Sequence, residues 1–407
     1  MKEITRRSAA LRWWDPRSVG WWLFVVCTAV GGWIMVTSLA PAFQRYAVTG
    51  VLAIALSVPM FFLIWYLVRA MQIVTRPARS ASVAAVVWGA AAATGLFALN
   101  ANGAIMLALA QHVSLDFANA WGAAIAAPLT EETGKLLGVV AVVVASRSWL
   151  RGPMDGLLLG ALVGLGFLLA ENVLYAFNVT VMSFGENQAI ATGAIYFVRT
   201  GLFWPISHAI FTAFAGAALG FLLGRPAARR YGWGALCLAL AYGVHFVWNS
   251  PILPGILARM AFATAIPFIL WGVITVARRA EHAWVRGVLA TEVAAGTIPA
   301  EWVDWLGGSL RARRRRRREL VRAYSREMRG VQRSHEALLV ELADAVDSPD
   351  LEQADVLRHK ARLDYEGAQR RAVEAAQAAA QQQAAWAEYY RQVEEYRRYW
   401  AERGYQV

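Results

Sequence analysis

The stretch APLTEETGKLLGVVAVVVA, residues 127–145, sets two adjacent glutamates and a lysine inside an otherwise apolar run. Three charges in one turn of helix would be ordinary on a water-facing surface. Here nothing polar follows them for ten residues, so the helix that carries them has no second polar face to turn to solvent. The reading of Glu131, Glu132 and Lys135 depends on what surrounds that run.

What surrounds it is membrane-like. The chain has 407 residues, 58 % of them hydrophobic, with 18 tryptophans, a composition suited to a polytopic membrane protein. Apolar runs of spanning length recur from Gly20 to Ala277. They predict eight helices, at roughly 20–40, 46–68, 82–99, 121–146, 154–177, 198–223, 231–250 and 254–277, each near the length that crosses about 30 Å of hydrocarbon. The third is open to extension through Asn100–Ala110. The expected fold is therefore all-α, a polytopic helix bundle of about eight spans with a C-terminal helical hairpin or coiled-coil extension.

Loop charges orient the bundle. Basic residues gather on one side: Lys2, Arg6, Arg7, Arg12 and Arg17, then Arg69, Arg76 and Arg79, then Arg147 and Arg151, then Arg225, Arg229 and Arg230, then Arg278 and Arg279. The opposite loops hold Arg45 and little else that is basic. This alternation predicts an integral, multi-pass protein with both termini cytoplasmic. The first span is not read as a cleaved signal, because Pro41 follows the only candidate cleavage site. Two cysteines, Cys27 and Cys237, both within spans, indicate no disulfide framework. The net charge of +12 lies largely in cytoplasmic loops and the juxtamembrane tail, which points to an anionic lipid surface and not to nucleic acid.

Four regions follow: a basic arm (1–19), a transmembrane core (20–277), an interfacial amphipathic segment (278–312) and a basic helical tail (313–407). Trp284, Val285, Val288 and Leu289, then Trp302, Trp305 and Leu306, read as membrane-surface contacts. Arg313–Arg318 reads first as a solvated helix face near lipid phosphates. Leu320, Tyr324, Met328, Val331, Leu338, Leu342 and Val346 make one apolar stripe, which would meet a partner helix or a second copy. Ser348-Pro349-Asp350 supplies a start signal for a second long helix. The tail holds no catalytic cluster; His335 and His359 read as solvated.

The ionisable residues well inside spans are few: Glu131, Glu132, Lys135, Glu171, His208 and His245, with Arg199 and Arg259 nearer span ends. One charge at mid-span costs about 2.5–3.5 kcal/mol even on lenient insertion scales, so this set implies a shared polar cavity. The eight-span topology puts Glu171, His208 and His245 in the outer half of the bilayer, with Glu131 and Glu132 near the middle and slightly toward the outside. Spacing four residues apart places Glu131 with Lys135, Phe167 with Glu171 and Tyr175, His208 with Thr212 and then Gly216, and His245 with Asn249 on single helix faces. A carboxylate that can activate water, with histidine and amide donors that can stabilise an oxyanion, suits hydrolysis. No Gly-x-Ser-Gly motif and no deeply placed aspartate is present. Two histidines and three glutamates could also bind zinc with an open position.

These residues resemble the PrsW family of intramembrane proteases, relatives of the CAAX prenyl endopeptidases and of bacteriocin-processing membrane proteins. Glu131-Glu132-Thr-Gly-Lys135 is similar to the family's EExxK motif, and Phe167-Leu-Leu-Ala-Glu171-Asn-Val-Leu-Tyr175 to FxxxExxxY. His208, Thr212 and Gly216 resemble the third motif, and His245-Phe-Val-Trp-Asn249 the fourth, HxxxD/N, with asparagine where many members carry aspartate. The resemblance covers residues 120–250 and implies a peptidase with Glu131 as general base. Glu132 and Glu171 would share its proton site, and His245 and Asn249 would act as oxyanion donors. It implies a membrane-anchored protein substrate; the family's best-known cut is in an anti-sigma factor, on its extracytoplasmic side. Members are often described as metalloproteases, so Glu131, Glu171, His208 and His245 are the expected ligands if a divalent metal such as zinc is bound. The prenyl-protease relatives imply a metal-free glutamate mechanism, and Asn249 favours it. The alternatives are a proton-coupled transporter and a non-catalytic scaffold.

Overall fold

The computed structural model describes residues 17–71, 79–145, 150–202, 207–225, 227, 229–306, 315–316, 318–319, 322, 328–347 and 351–402. Among these the chain is helical and without strands. It divides into two compact units, one through Glu281 and one from His282. The helix-start signal at Ser348-Pro349-Asp350, and Arg313, Arg314 and Arg317 of the basic run, lie outside the described residues.

In the first unit α1 (Val19–Arg45) and α2 (Ala47–Met71) are apolar nearly all round, and expose many large aliphatic and aromatic side chains, among them Trp33, Val51 and Phe62. Such a surface suits lipid and not water. Next, α3 (Arg79–His112) runs 34 residues, with a π-helical stretch at Gly89–Ala98. It takes in the Asn100–Ala110 extension. α4 (Leu115–Ala127) leads through a π-helical turn, Pro128–Glu132, into α5 (Thr133–Ala145). α6 (Pro153–Met182) is followed by α7 (Gln188–Tyr196) and a π-helical turn, Phe197–Leu202. α8 (Ser207–Leu223), α9 (Arg230–Asn249) and α10 (Gly255–Ala294) complete it.

Six of these helices are long and apolar enough to cross a membrane: α1, α2, α3, α6, α9 and α10. The other two of the eight expected spans are not among these six. The expected span 121–146 falls on α4, the π turn and α5, a continuous helical run that carries Asp116, Glu131, Glu132 and Lys135. The expected span 198–223 is described as the Phe197–Leu202 turn and the 17 residues of α8, with 203–206 outside the described residues.

α6 is the centre of the bundle. Its first half, from Pro153 to Leu168, is buried on every side, as a helix apolar all round should be. Its tightest neighbour is α8. Gly156, Gly160 and Gly164 recur every fourth residue, and a Cβ on any of them would collide with the backbone carbonyl of Gly216, Thr212 or His208. Small residues at this spacing let two helix backbones touch inside a bilayer. Gly216 thus acts as the packing partner of Gly156. On its other side α6 meets α3, with Gly166 against the Val86 carbonyl and Gly89 against that of Val163. The α6–α8 contact brings His208 on α8 and Glu171 on α6 together.

In the second unit the chain from His282 completes α10 without a break, so the expected interfacial segment around Trp284 falls on the last part of that helix. The run Arg278–Ala294 has no proline to stop it; α10 ends where Gly296 takes a positive φ of 69° and Thr297 N–H returns to the Glu292 carbonyl, a glycine C-cap. Val285 and Leu289 are buried. α11 (Ala300–Leu306), α12 (Met328–Val346) and α13 (Leu351–Ala401) follow, with α12 packed on α13. Leu338 and Leu342 of the expected stripe are buried, together with Leu339. Arg358 grips the buried Glu292 carboxylate with two bonds, Nη2 to Oε1 at 2.6 Å and Nε to Oε2 at 2.8 Å, and Thr297 Oγ1 adds a third at 2.6 Å.

Candidate active site

Pro128 has no N–H to give the preceding turn, and the helix widens there into the π turn that ends at Glu132. Both carboxylates of that turn are buried in the bundle. Single π turns are frequent at functional sites, because the extra residue per turn re-aims the side chains that follow.

Glu132 is wholly buried and fully bonded. Its Oε1 accepts from Lys135 Nζ at 2.8 Å and from His245 Nδ1 at 2.9 Å, and its Oε2 from Thr212 Oγ1 at 3.2 Å. Glu131 is held more loosely. Its Oε2 lies 3.3 Å from Lys135 Nζ and 3.9 Å from both His208 Nδ1 and His245 Nε2. Its Oε1 accepts from Asn102 Nδ2 at 3.1 Å. Lys135, though fully buried, thus touches both acids, and its ammonium also lies 3.0 Å from His208 Nδ1 and 3.7 Å from the centre of the Phe167 ring. A buried cation over an aromatic face gains from the ring quadrupole, which gives Phe167 a role beyond filling space.

His208 bridges two carboxylate groups. Its Nε2 meets Glu171 Oε2 at 2.8 Å, so that nitrogen carries the proton, and Nδ1 is left as the acceptor facing Lys135 and Glu131. The His208 and His245 rings meet edge to face at 5.3 Å, and Phe211 stacks on His245 at 5.0 Å. Glu171 also takes Arg199 Nη2 at 2.5 Å, and Tyr175 places its ring 3.9 Å from the same guanidinium.

Of the residues expected from sequence, Glu131, Glu132, Lys135, Phe167, Glu171, His208, Thr212 and His245 come together. Tyr175 reaches the cluster through Arg199. Asn249 is half-buried, and the structure does not bring it into the hydrogen-bonded cluster. Four further residues join it. Asn102 binds Glu131 and is itself bound by Thr130 Oγ1. Arg199 and Asn172 flank Glu171. A proline three residues before two buried acids, and an arginine in a long apolar stretch with a carboxylate to neutralise, are the sequence signals that point to the π turn and to Arg199.

Glu131, Glu132, His208 and His245 each offer one donor atom, all within 4.8 Å of one another and all buried. Two imidazoles and two carboxylates suit zinc or a similar divalent cation, so the donor set fits. Glu132 stands in this group where Glu171 was expected: Glu171 spends its oxygen on the far nitrogen of His208 and on Arg199. Three of the four groups are also the partners of Lys135.

A helical bundle with six helices long and apolar enough to cross a membrane, enclosing glutamates, histidines and a lysine, is that of a multi-pass membrane protein. Residues 77–276 match the family described as PrsW family intramembrane metalloprotease, a match that implies a peptidase. No curated protein and no solved structure matches the chain.

Proposed function

We propose that the chain is an intramembrane endopeptidase that hydrolyses a membrane-anchored protein with Glu131 as general base. The observation that carries this reading is the different state of the two acids. Glu132 has both oxygens committed, whereas Glu131 keeps longer contacts beside the two imidazoles. A base needs a carboxylate that can still accept a proton. Glu131 would take a proton from water as the water oxygen bonds to the scissile carbonyl carbon. It would then return that proton to the leaving nitrogen as the C–N bond breaks. Lys135 holds Glu131 and Glu132 at fixed separation and lends positive potential where the oxyanion develops. Phe167 and Phe211 keep the histidine rings in place.

A divalent cation would be held by Glu132, His208 and His245, leaving a position open beside Glu131, and would supply Lewis-acid polarisation of the carbonyl and of the water. The four clustered donors and the family description favour this form. A metal-free glutamate mechanism is the second reading, favoured by the Lys135 ammonium lying against the same donors. Chelation separates them: with a metal, activity falls and returns with stoichiometric zinc or another divalent ion, and without one it does not change.

The orientation belongs to the same proposal. Alternating loop charge supports eight crossings with both termini cytoplasmic and a site in the outer half of the bilayer. An anti-sigma-factor-like substrate cut on its extracytoplasmic side fits that placement. The basic tail would bind anionic lipid, and its helices a partner or a second copy. Membrane proteomics of cells with wild-type protein or Glu131→Gln tests the reading. Fragments of membrane-anchored proteins should appear only with the wild type, and equal fragment patterns would overturn it.

A further inference from the structure

We propose that Arg199 is a positioning residue for the reaction: it locks Glu171 against His208 and so fixes which nitrogen of that imidazole faces the reacting centre. This rests on the peptidase reading above.

Three carboxylates and two cations share the buried cluster. Lys135 is divided between Glu131 and Glu132, so the nearest strong countercharge to Glu171 is Arg199. Its guanidinium makes three contacts. Nη2 donates to Glu171 Oε2 at 2.5 Å, Nε donates to Asn172 Oδ1 at 2.8 Å, and the plane lies 3.9 Å from the Tyr175 ring centre. All three partners are on one face of α6, while Arg199 comes from the π-helical turn before α8. The planar guanidinium serves two acceptors and a ring in one fixed geometry, which the compact ammonium of a lysine at this position would not reproduce.

The consequence runs through Glu171 to His208. Glu171 Oε2 receives both Arg199 and His208 Nε2. With that oxygen pinned, His208 holds its proton on Nε2 and presents Nδ1 to Glu131 and to any bound cation. Freed from Arg199, the carboxylate can swing about its side-chain torsions. The imidazole then loses the acceptor that sets its tautomer. Carboxylates that hold a ligating histidine in this way are worth about 10–100-fold in metal affinity or activity.

The test compares full-length wild type, Arg199→Met, Arg199→Lys, Glu171→Ala and the Glu171→Ala/Arg199→Met double variant, reconstituted in lipid. Two readouts are taken: cleavage kinetics on a membrane-anchored substrate, and affinity of metal-stripped protein for zinc. Arg199→Met should lower kcat about 10–100-fold with KM nearly unchanged, and weaken zinc by a similar factor. Arg199→Lys should lie between it and wild type. The double variant should be no worse than Glu171→Ala, because the two act as one unit. Normal kcat and zinc affinity in folded Arg199→Met, with only a lower melting point, would reduce Arg199 to a structural role and overturn the proposal. So would strictly additive losses in the double variant. If wild type cuts nothing, or Glu131→Gln cuts as well as wild type, the peptidase reading fails, and the zinc titration then decides alone whether Arg199 orients His208.

Discussion

The ammonium of Lys135 lies 2.8 Å from Glu132 Oε1 with both side chains wholly excluded from solvent. The two residues are one helical turn apart, so the contact is set by local geometry, but its energy is set by the bundle around it. Each charge alone would be intolerable there. Together, and with His245 and Thr212 completing the Glu132 carboxylate, they form a polar island that the surrounding apolar helices can accept.

Removing one partner should therefore cost more than the pair contributes. Lys135→Met leaves Glu131 and Glu132 facing each other without a cation and should destabilise the protein by about 3–5 kcal/mol, the usual range for a broken buried pair. Adding Glu132→Gln should recover part of the loss, since it removes one orphaned charge. Thermal unfolding in detergent, followed for both variants, reads this directly. A double variant less stable than Lys135→Met would show that Glu132 is held by something other than this pairing.

The two neighbouring acids should separate by phenotype. Glu131→Gln should lower cleavage by about 10²–10⁴-fold, the usual contribution of a general base, with the melting point close to wild type. Its amide oxygen can still accept from Asn102. Glu132→Gln should lose activity and stability together, because it weakens contacts to Lys135, His245 and Thr212 at once. Kinetics and melting curves on the same preparations decide it. The reverse pattern would exchange the roles of the two residues.

Both the membrane class and most of the site could be read from sequence, for one physical reason: charge inside an apolar helix is costly, so the few buried acids, histidines and Lys135 stand out by position alone. Asn102 does not stand out. It is neutral, it lies in the mildly polar stretch Asn100–Gly103, and its contact with Glu131 exists only because α3 packs beside the π turn. Arg199 was visible as a charge near a span end, where an arginine can reach the interface; only tertiary structure turns it toward Glu171. Asn249 shares a helix face with His245 by spacing and is half-buried, and it takes no part in the hydrogen bonds among the other candidate residues. The π turn at Pro128 shifts side-chain directions in a way that simple 3.6-residue periodicity does not register.

The α6–α8 contact should be intolerant of a single methyl group. Gly160→Ala places a Cβ against the Thr212 carbonyl, and the helices must part to admit it. A loss of about 1–3 kcal/mol is expected for overpacking of this kind. Cleavage should fall as well, since α8 carries His208 and Thr212. Gly103 is the control: a Cβ there meets nothing within 4 Å, and Gly103→Ala should be neutral or slightly stabilising. Equal melting points for the two variants would mean that α6 and α8 do not touch as closely as the backbone indicates.

In the second unit Glu292 is buried and owes its tolerance to Arg358, which binds both of its oxygens and also reaches Asp355 at 2.6 Å. Burial of the acid and half-exposure of the arginine make the two ends unequal. Arg358→Ala strands a carboxylate among apolar neighbours such as Leu289, whereas Glu292→Gln leaves an arginine that can turn to water and to Asp355. Arg358→Ala should therefore destabilise the second unit by about 3 kcal/mol or more, and Glu292→Gln by distinctly less. Arg358→Lys should recover little, because one ammonium cannot reproduce two parallel bonds. Hydrogen exchange is the suitable measurement, since it resolves the two units separately. Faster exchange is expected around Thr297 and in α13 near Arg358, while α6 and α8 keep wild-type protection. Cleavage by the membrane unit should stay near normal, because every residue of the candidate site precedes Glu281. If Arg358→Ala instead loosens α8 and abolishes cleavage, the second unit supports the catalytic helices and is not the independent module that its own contacts suggest.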